Sequence, residues 1–193
     1  MARKSVAYHW DSIFDREFGK ESDRASVIIS VAMLDRALET ILKAYLVPTD
    51  SPEDSLLEGA YAPIATFNAR IDLAHRLGLI TARFCRDLHI IRKIRNDFAH
   101  NISGCSFEDS AVCSRITELV RSSTIIERSP KIRKSFPDGP RGDFQMTVSW
   151  MLWCLWSISE EVHSIESPGI EWGYWTKGME KEAEEEIKHQ KDK

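Results

Sequence analysis

Hydrophobic residues recur at three- and four-residue spacing through most of the 193-residue chain, and no segment sustains the two-residue alternation of a half-buried strand. Val6, Trp10, Ile13, Phe14 and Phe18 predict a short helix over 5–18, ended by Gly19. A longer helix over 21–46 carries Val27, Ile28, Val31, Leu34, Leu38, Ile41, Leu42 and Tyr45 on one broad face, and Pro48 stops it. A connection over 47–65 follows, with a helical turn at 52–58. Thr66 opens the next helix, with Phe67, Ile71, Ala74 and Leu77 on one side and Gly78 closing it. Thr81 caps a helix to His100, striped by Phe84, Leu88, Ile91, Ile94 and Phe98. Beyond Gly104, Ser106 caps a helix through Val112, Ile116 and Leu119, and residues 127–142 read as a Pro-, Gly- and base-rich loop.

The last long helix is expected over 143–165. Phe144, Val148, Met151, Leu155, Ile158, Val162 and Ile165 form a seam spaced by fours and threes. Trp150, Trp153 and Trp156 spread apolar surface around the rest of its circumference, so it is either central to the core or part of an oligomer interface. Trp172-Gly-Tyr-Trp175 is expected to fold back on the domain. The fold class is therefore all-α: a compact multi-helix bundle of about six helices, forming one domain over 1–176 with a charged, frayed tail over 177–193.

Composition narrows the function classes. A hydrophobic fraction of 42% suffices for one core, and a net charge of −4 with a pI near 5.9 lacks the global basic footprint of a DNA-binding domain. No apolar run follows Met1, and the stretch 150–156 is far below the roughly 20 apolar residues that a spanning helix needs. No secretory signal and no membrane contact are expected, and the cytoplasm is the default location. Cys85, Cys105, Cys113 and Cys154 form no Cys-x-x-Cys pair, and no His completes a zinc set at a familiar spacing. No metal and no cofactor are expected, and Cys85 and Cys154 read as buried reduced thiols.

The segment with chemical promise is Arg95-Asn96-Asp97-Phe98-Ala99-His100. On a helical wheel Arg95 and Asp87 fall inside the apolar stripe, whereas Arg86, His89, Arg92, Lys93, Asn96, Asp97 and His100 do not. A buried guanidinium needs a partner, and Asp35 or Glu39 on the 21–46 helix is the expected one. In the alternative, Arg95 and His100 act on RNA. The His serves as general acid or base on a 2′-hydroxyl, the Arg holds the scissile phosphate, and Asn96 orients either. The two are about 7.5 Å apart along an ideal helix and roughly 140° apart around it, so convergence requires a frayed helix end or a second subunit. Arg92 and Lys93, with Lys131, Arg133 and Lys134 of the basic loop, are candidate phosphate contacts.

Thr66-Phe-Asn-Ala-Arg70-Ile-Asp-Leu-Ala-His-Arg-Leu-Gly78-Leu-Ile, the stretch from Cys85 to His100, and the earlier Ala32-Met-Leu-Asp35-Arg-Ala-Leu-Glu39 resemble the mannitol operon repressor (MltR) family over about residues 22–120. The resemblance implies a compact helical fold and a link to transcriptional control without a DNA-reading motif. The Arg95–His100 string is similar to the Arg-x4-His motif of the HEPN superfamily, many of whose members are dimeric ribonucleases. That resemblance implies catalytic roles for Arg95 and His100, with Asn96 as the polar residue after the Arg. Three functions follow as expectations: a homodimeric regulator working through a protein partner; a metal-independent ribonuclease acting on RNA; or a structural subunit of a larger assembly.

Overall fold

The computed structural model describes residues 21–101, 104–167 and 177–191. The 5–18 helix and the 172–175 aromatic group expected from sequence lie outside them. Eight helices are present among the described residues, six of them seven residues or longer, and there are no strands.

Helix α1 (Asp23–Tyr45) starts where the Ser22 hydroxyl accepts a hydrogen bond from Ala25 N at 3.2 Å, satisfying an amide that the first turn leaves unpaired. Helix α2 (Phe67–Arg76) is capped the same way by Thr66, and α3 (Ala82–His100) by Thr81. Between α2 and α3 the chain reverses at Gly78, whose φ of 75° is a left-handed conformation that a side chain would strain.

Helix α4 (Ser110–Ser123) begins later than its expected Ser106 cap. Ser106 and Asp109 instead build the turn before it: Asp109 Oδ2 accepts from Ser106 N, and Ser106 Oγ accepts from Glu108 N. The basic stretch expected to be loop contains α5 (Ile125–Arg128) and α6 (Pro130–Arg133). Helix α7 (Pro140–Glu161) follows, and α8 (Lys177–Lys191) lies in the charged tail region.

Helices α1, α3, α4 and α7 pack in a closed ring, each on the next, and α2 rests against α1 and α3. Leu34, Leu38, Leu88, Ile91, Phe98, Leu119, Phe144 and Leu155 fill the middle. Phe107, from the α3–α4 connection, packs between Phe98 of α3 and Phe144 of α7 with centroids 5.3 Å from each and the rings tilted to one another. Buried polar groups lock the ring. Gln145 donates to Ser26 Oγ at 3.2 Å between α7 and α1, and Ser122 donates to Asp87 at 2.5 Å between α4 and α3. Asp87 is buried, as the wheel expects.

Candidate functional site at the end of α3

The acidic pair on α1 has a different partner from the expected one. Arg70 of α2, only 7% exposed, donates Nη1 to Asp35 Oδ1 at 2.8 Å, and its Nη2 lies 3.2 Å from Glu39 Oε2. Its other donors reach the backbone of the preceding connection, Nε to Ile64 O at 3.1 Å and Nη2 to Leu57 O at 3.0 Å. One guanidinium thus fastens α1, α2 and the 47–65 connection, using the fork geometry that suits Arg to several oxygens at once. Around it, Arg36 and Lys43 contact Glu39, and Lys43 also donates to Glu58. Burial alone would raise the Glu39 carboxyl, but the hydrogen bond from Lys43 and the charges of Arg70, Arg36 and Lys43 outweigh it and hold it below its ordinary value.

Arg95 is exposed and donates to Asn96 Oδ1 at 3.2 Å, which corrects the expected ion pair with Asp35 or Glu39. The wheel places a residue by its Cβ. Three methylenes let the charged head leave an apolar stripe for water, and Arg70 already holds the acidic pair. Arg95, Asn96 and Arg92 line a 480 Å³ cleft between α1, the start of α2, and α3, with Asp35 and Asn68 on its wall. Arg92 Nε is buried there with no protein partner among the described residues.

His100, the last residue of α3, is exposed and lines a separate cleft with Asp97, Asn101, Asp109 and Arg115. Arg115 pairs with Asp97, and Arg24 donates to the Asn101 carbonyl at 2.6 Å, which fixes the helix end against α1 and α4. Asn96 lines both clefts. Within one chain, Arg95 therefore lines the first of these two clefts and His100 the second, with Asn96 between them.

The proposed phosphate contacts divide. Arg92 joins Arg95, and Lys93 is exposed on α3. Lys131 and Lys134 are exposed, but Arg133 is committed to structure: Nε donates to Asp143 at 2.8 Å, Nη1 to Phe136 O and Pro137 O, and Nη2 to Gly139 O. Its guanidinium shapes the turn into α7, a role that only the folded connection reveals.

Two features were missed or left open by the sequence. The three tryptophans of α7 point outward: Trp150 and Trp153 are each 37% exposed and stacked at 4.7 Å, and Trp156 is 43% exposed. Beside Trp156 runs an apolar groove of 490 Å³ lined by Ile28, Ile29, Met33, Ala37 and Leu152 of α1 and α7. The missed feature is the meeting of Asp72, Cys85 and His89 where α2 packs on α3. Its only sequence signal is Cys85 and His89 four apart on one helix, a spacing that a search for Cys-x-x-Cys passes over. All four cysteines are free, and burial pushes the Cys105 and Cys154 thiols up to about 11.

No known family model matches the chain, and no curated protein matches it by sequence. Its fold is shared with solved structures. A chain of the MtlR–HPr complex from Escherichia coli superposes with a TM-score of 0.55 at 15% identity, covering 76% of this chain and 98% of that one. A possible transcriptional regulator, YggD, from Shigella flexneri 2a superposes with a TM-score of 0.55 at 13% identity, covering 84% of this chain and 99% of that one. At these identities the likeness is one of fold.

Proposed function

We propose that the chain is a regulatory protein associated with transcriptional control, acting in the cytoplasm through protein contacts and without a DNA-reading element of its own. The observation that carries this reading is the partly exposed apolar face of α1 and α7, where Trp156 borders the groove and Trp150 and Trp153 stack at the surface. Large aromatic surface left at the edge of a bundle marks a contact surface. The fold likeness to a chain crystallised in a complex with HPr and to a possible transcriptional regulator supports the same reading, as does the acidic net charge. A homodimer through the Trp face is compatible with it. The test is affinity capture of wild type and of Met33→Glu from the native host, with transcript levels measured after deletion of the gene. One specific partner lost in the variant, together with altered transcripts, supports the reading. An unchanged partner set and unchanged transcripts overturn it.

A second reading has one observation in its favour. With Arg70 holding Asp35, Arg95 has no ion pair among the described residues, and it lies on Asn96 with His100 on the other side. Two chains meeting at their α3 ends would bring the Arg95 of one to the His100 of the other, which is the arrangement a metal-independent ribonuclease needs. Incubation with total RNA in EDTA, comparing wild type with His100→Ala, tests it. Cleavage that vanishes in the variant establishes the activity, and intact RNA with the wild-type protein rejects it.

A further inference from the structure

Helix α2 contributes Asp72 to the interface it shares with α3, and α3 contributes Cys85 and His89. The last two are one turn apart on the same face, since residues four apart stack along a helix. A carboxylate oxygen of Asp72, the Cys85 sulfur and a ring nitrogen of His89 all lie within 4.8 Å of one another. His89 Nε2 lies 3.0 Å from Asp72 Oδ1, and Asn68 Nδ2 donates to Asp72 Oδ2 at 3.0 Å, holding the carboxylate in orientation from the preceding turn. Among the described residues no other group of three such side chains converges.

We propose that Asp72, Cys85 and His89 form a zinc-binding site that clasps α2 to α3. The donor set is one sulfur, one nitrogen and one oxygen, which suits a borderline ion of tetrahedral preference better than the all-oxygen shells that calcium and magnesium require. Zinc bonds of about 2.3 Å to sulfur and about 2.0–2.2 Å to nitrogen and oxygen place ligand atoms roughly 3.3–3.7 Å apart. In the proposed site, side-chain rotation closes the three atoms, now within 4.8 Å of one another, to that spacing. On binding, the Cys85 S–H proton and the proton shared between His89 Nε2 and Asp72 Oδ1 are displaced, the first to solvent and the second to Nδ1 of the ring or to solvent. The thiolate and the neutral imidazole then each donate an electron pair, and the Asp72 carboxylate supplies the third bond. Asp72 is exposed, so the fourth position faces solvent and takes water.

Cobalt(II) reports such a site directly. The full chain, reduced and freed of metal with a chelator, is titrated with cobalt(II) and then zinc(II). The expected result is a near-ultraviolet thiolate-to-cobalt band with intense visible bands of tetrahedral geometry, saturating at one equivalent and bleached by zinc. The band is lost in Cys85→Ser, and it persists when Cys105, Cys113 and Cys154 are each changed to Ser. Asp72→Asn alters an exposed side chain of the same size, and it weakens zinc affinity at least about tenfold. Zinc at a hundredfold excess over its Kd raises the thermal midpoint of wild type by about 5–10 °C. A wild-type protein with no charge-transfer band, or one whose band survives Cys85→Ser, overturns the proposal. So does a zinc affinity unchanged in Asp72→Asn.

Discussion

Arg70 and Asp35, thirty-five residues apart in sequence, meet at 2.8 Å where α2 crosses α1, and the same guanidinium holds the Leu57 carbonyl at 3.0 Å. Asp35, Glu39 and Arg70, which lie in the stretches that resemble the regulator family, thus come together in one ionic cluster in which Glu39 and Arg70 are buried. Their shared role is to fix the fold.

Removing Arg70 strands this cluster. Arg70→Met leaves Glu39 only Arg36 and Lys43, and leaves the Ile64 and Leu57 carbonyls without the guanidinium's donors, so the expected cost is about 3 kcal/mol, the low end for a broken buried pair. Arg70→Lys recovers only part of this, because one ammonium cannot reach both carboxylates and two carbonyls. Urea unfolding of the three proteins, followed by far-ultraviolet circular dichroism, gives the ranking directly.

Acid weakens the same cluster. The Glu39 carboxyl titrates below its ordinary 4.5 in the folded chain, so the unfolded chain binds its proton more tightly. Its contribution is present above the unfolded value and is lost as pH falls through the lowered folded value. The denaturant midpoint is expected to fall as pH drops below the ordinary 4.5, and Glu39→Gln is expected to flatten part of that slope. An identical slope in the variant would place the acid sensitivity elsewhere.

Gly142 sits in the first turn of α7 against the preceding connection. A Cβ there would lie 1.7 Å from the Pro137 carbonyl oxygen, a backbone atom with little room to retreat because Arg133 donates to it at 2.7 Å. Gly142→Ala is expected to cost about 3 kcal/mol, at the upper end of overpacking penalties. The increase in helix propensity works in the opposite direction by only about 1 kcal/mol. Thermal unfolding decides between a lowered midpoint and the raised one that propensity alone would give.

The two faces of α7 should respond unequally to truncation. Leu155 is fully buried, so Leu155→Ala is expected to cost about 2–5 kcal/mol. Trp150→Ala removes a larger side chain but one already 37% exposed and stacked on Trp153, and is expected to cost about 1 kcal/mol or less. If sedimentation also shows Trp150→Ala dissociating a wild-type dimer, the outer face is the subunit interface. A Trp150→Ala penalty as large as that of Leu155→Ala would mean that the ring is packed inside after all.

Local information in the sequence determined the elements. Thr66 and Thr81 cap their helices because a hydroxyl can satisfy a free amide at a first turn, and Gly78 ends α2 because the reversal needs a positive φ. The stripe from Leu88 to Phe98, with Asp87 beside it, followed from the 3.6-residue period. Each of these depends on neighbours within a few residues. The tertiary structure decided which cation holds Asp35, since that depends on how α2 and α3 rotate against α1, and Arg70 reaches it while Arg95 turns to Asn96. It decided that the α7 tryptophans face outward, because an apolar circumference does not say which arc the neighbours cover. It also joined Asp72 to Cys85 and His89 across two helices, a contact that periodicity along one chain segment cannot encode.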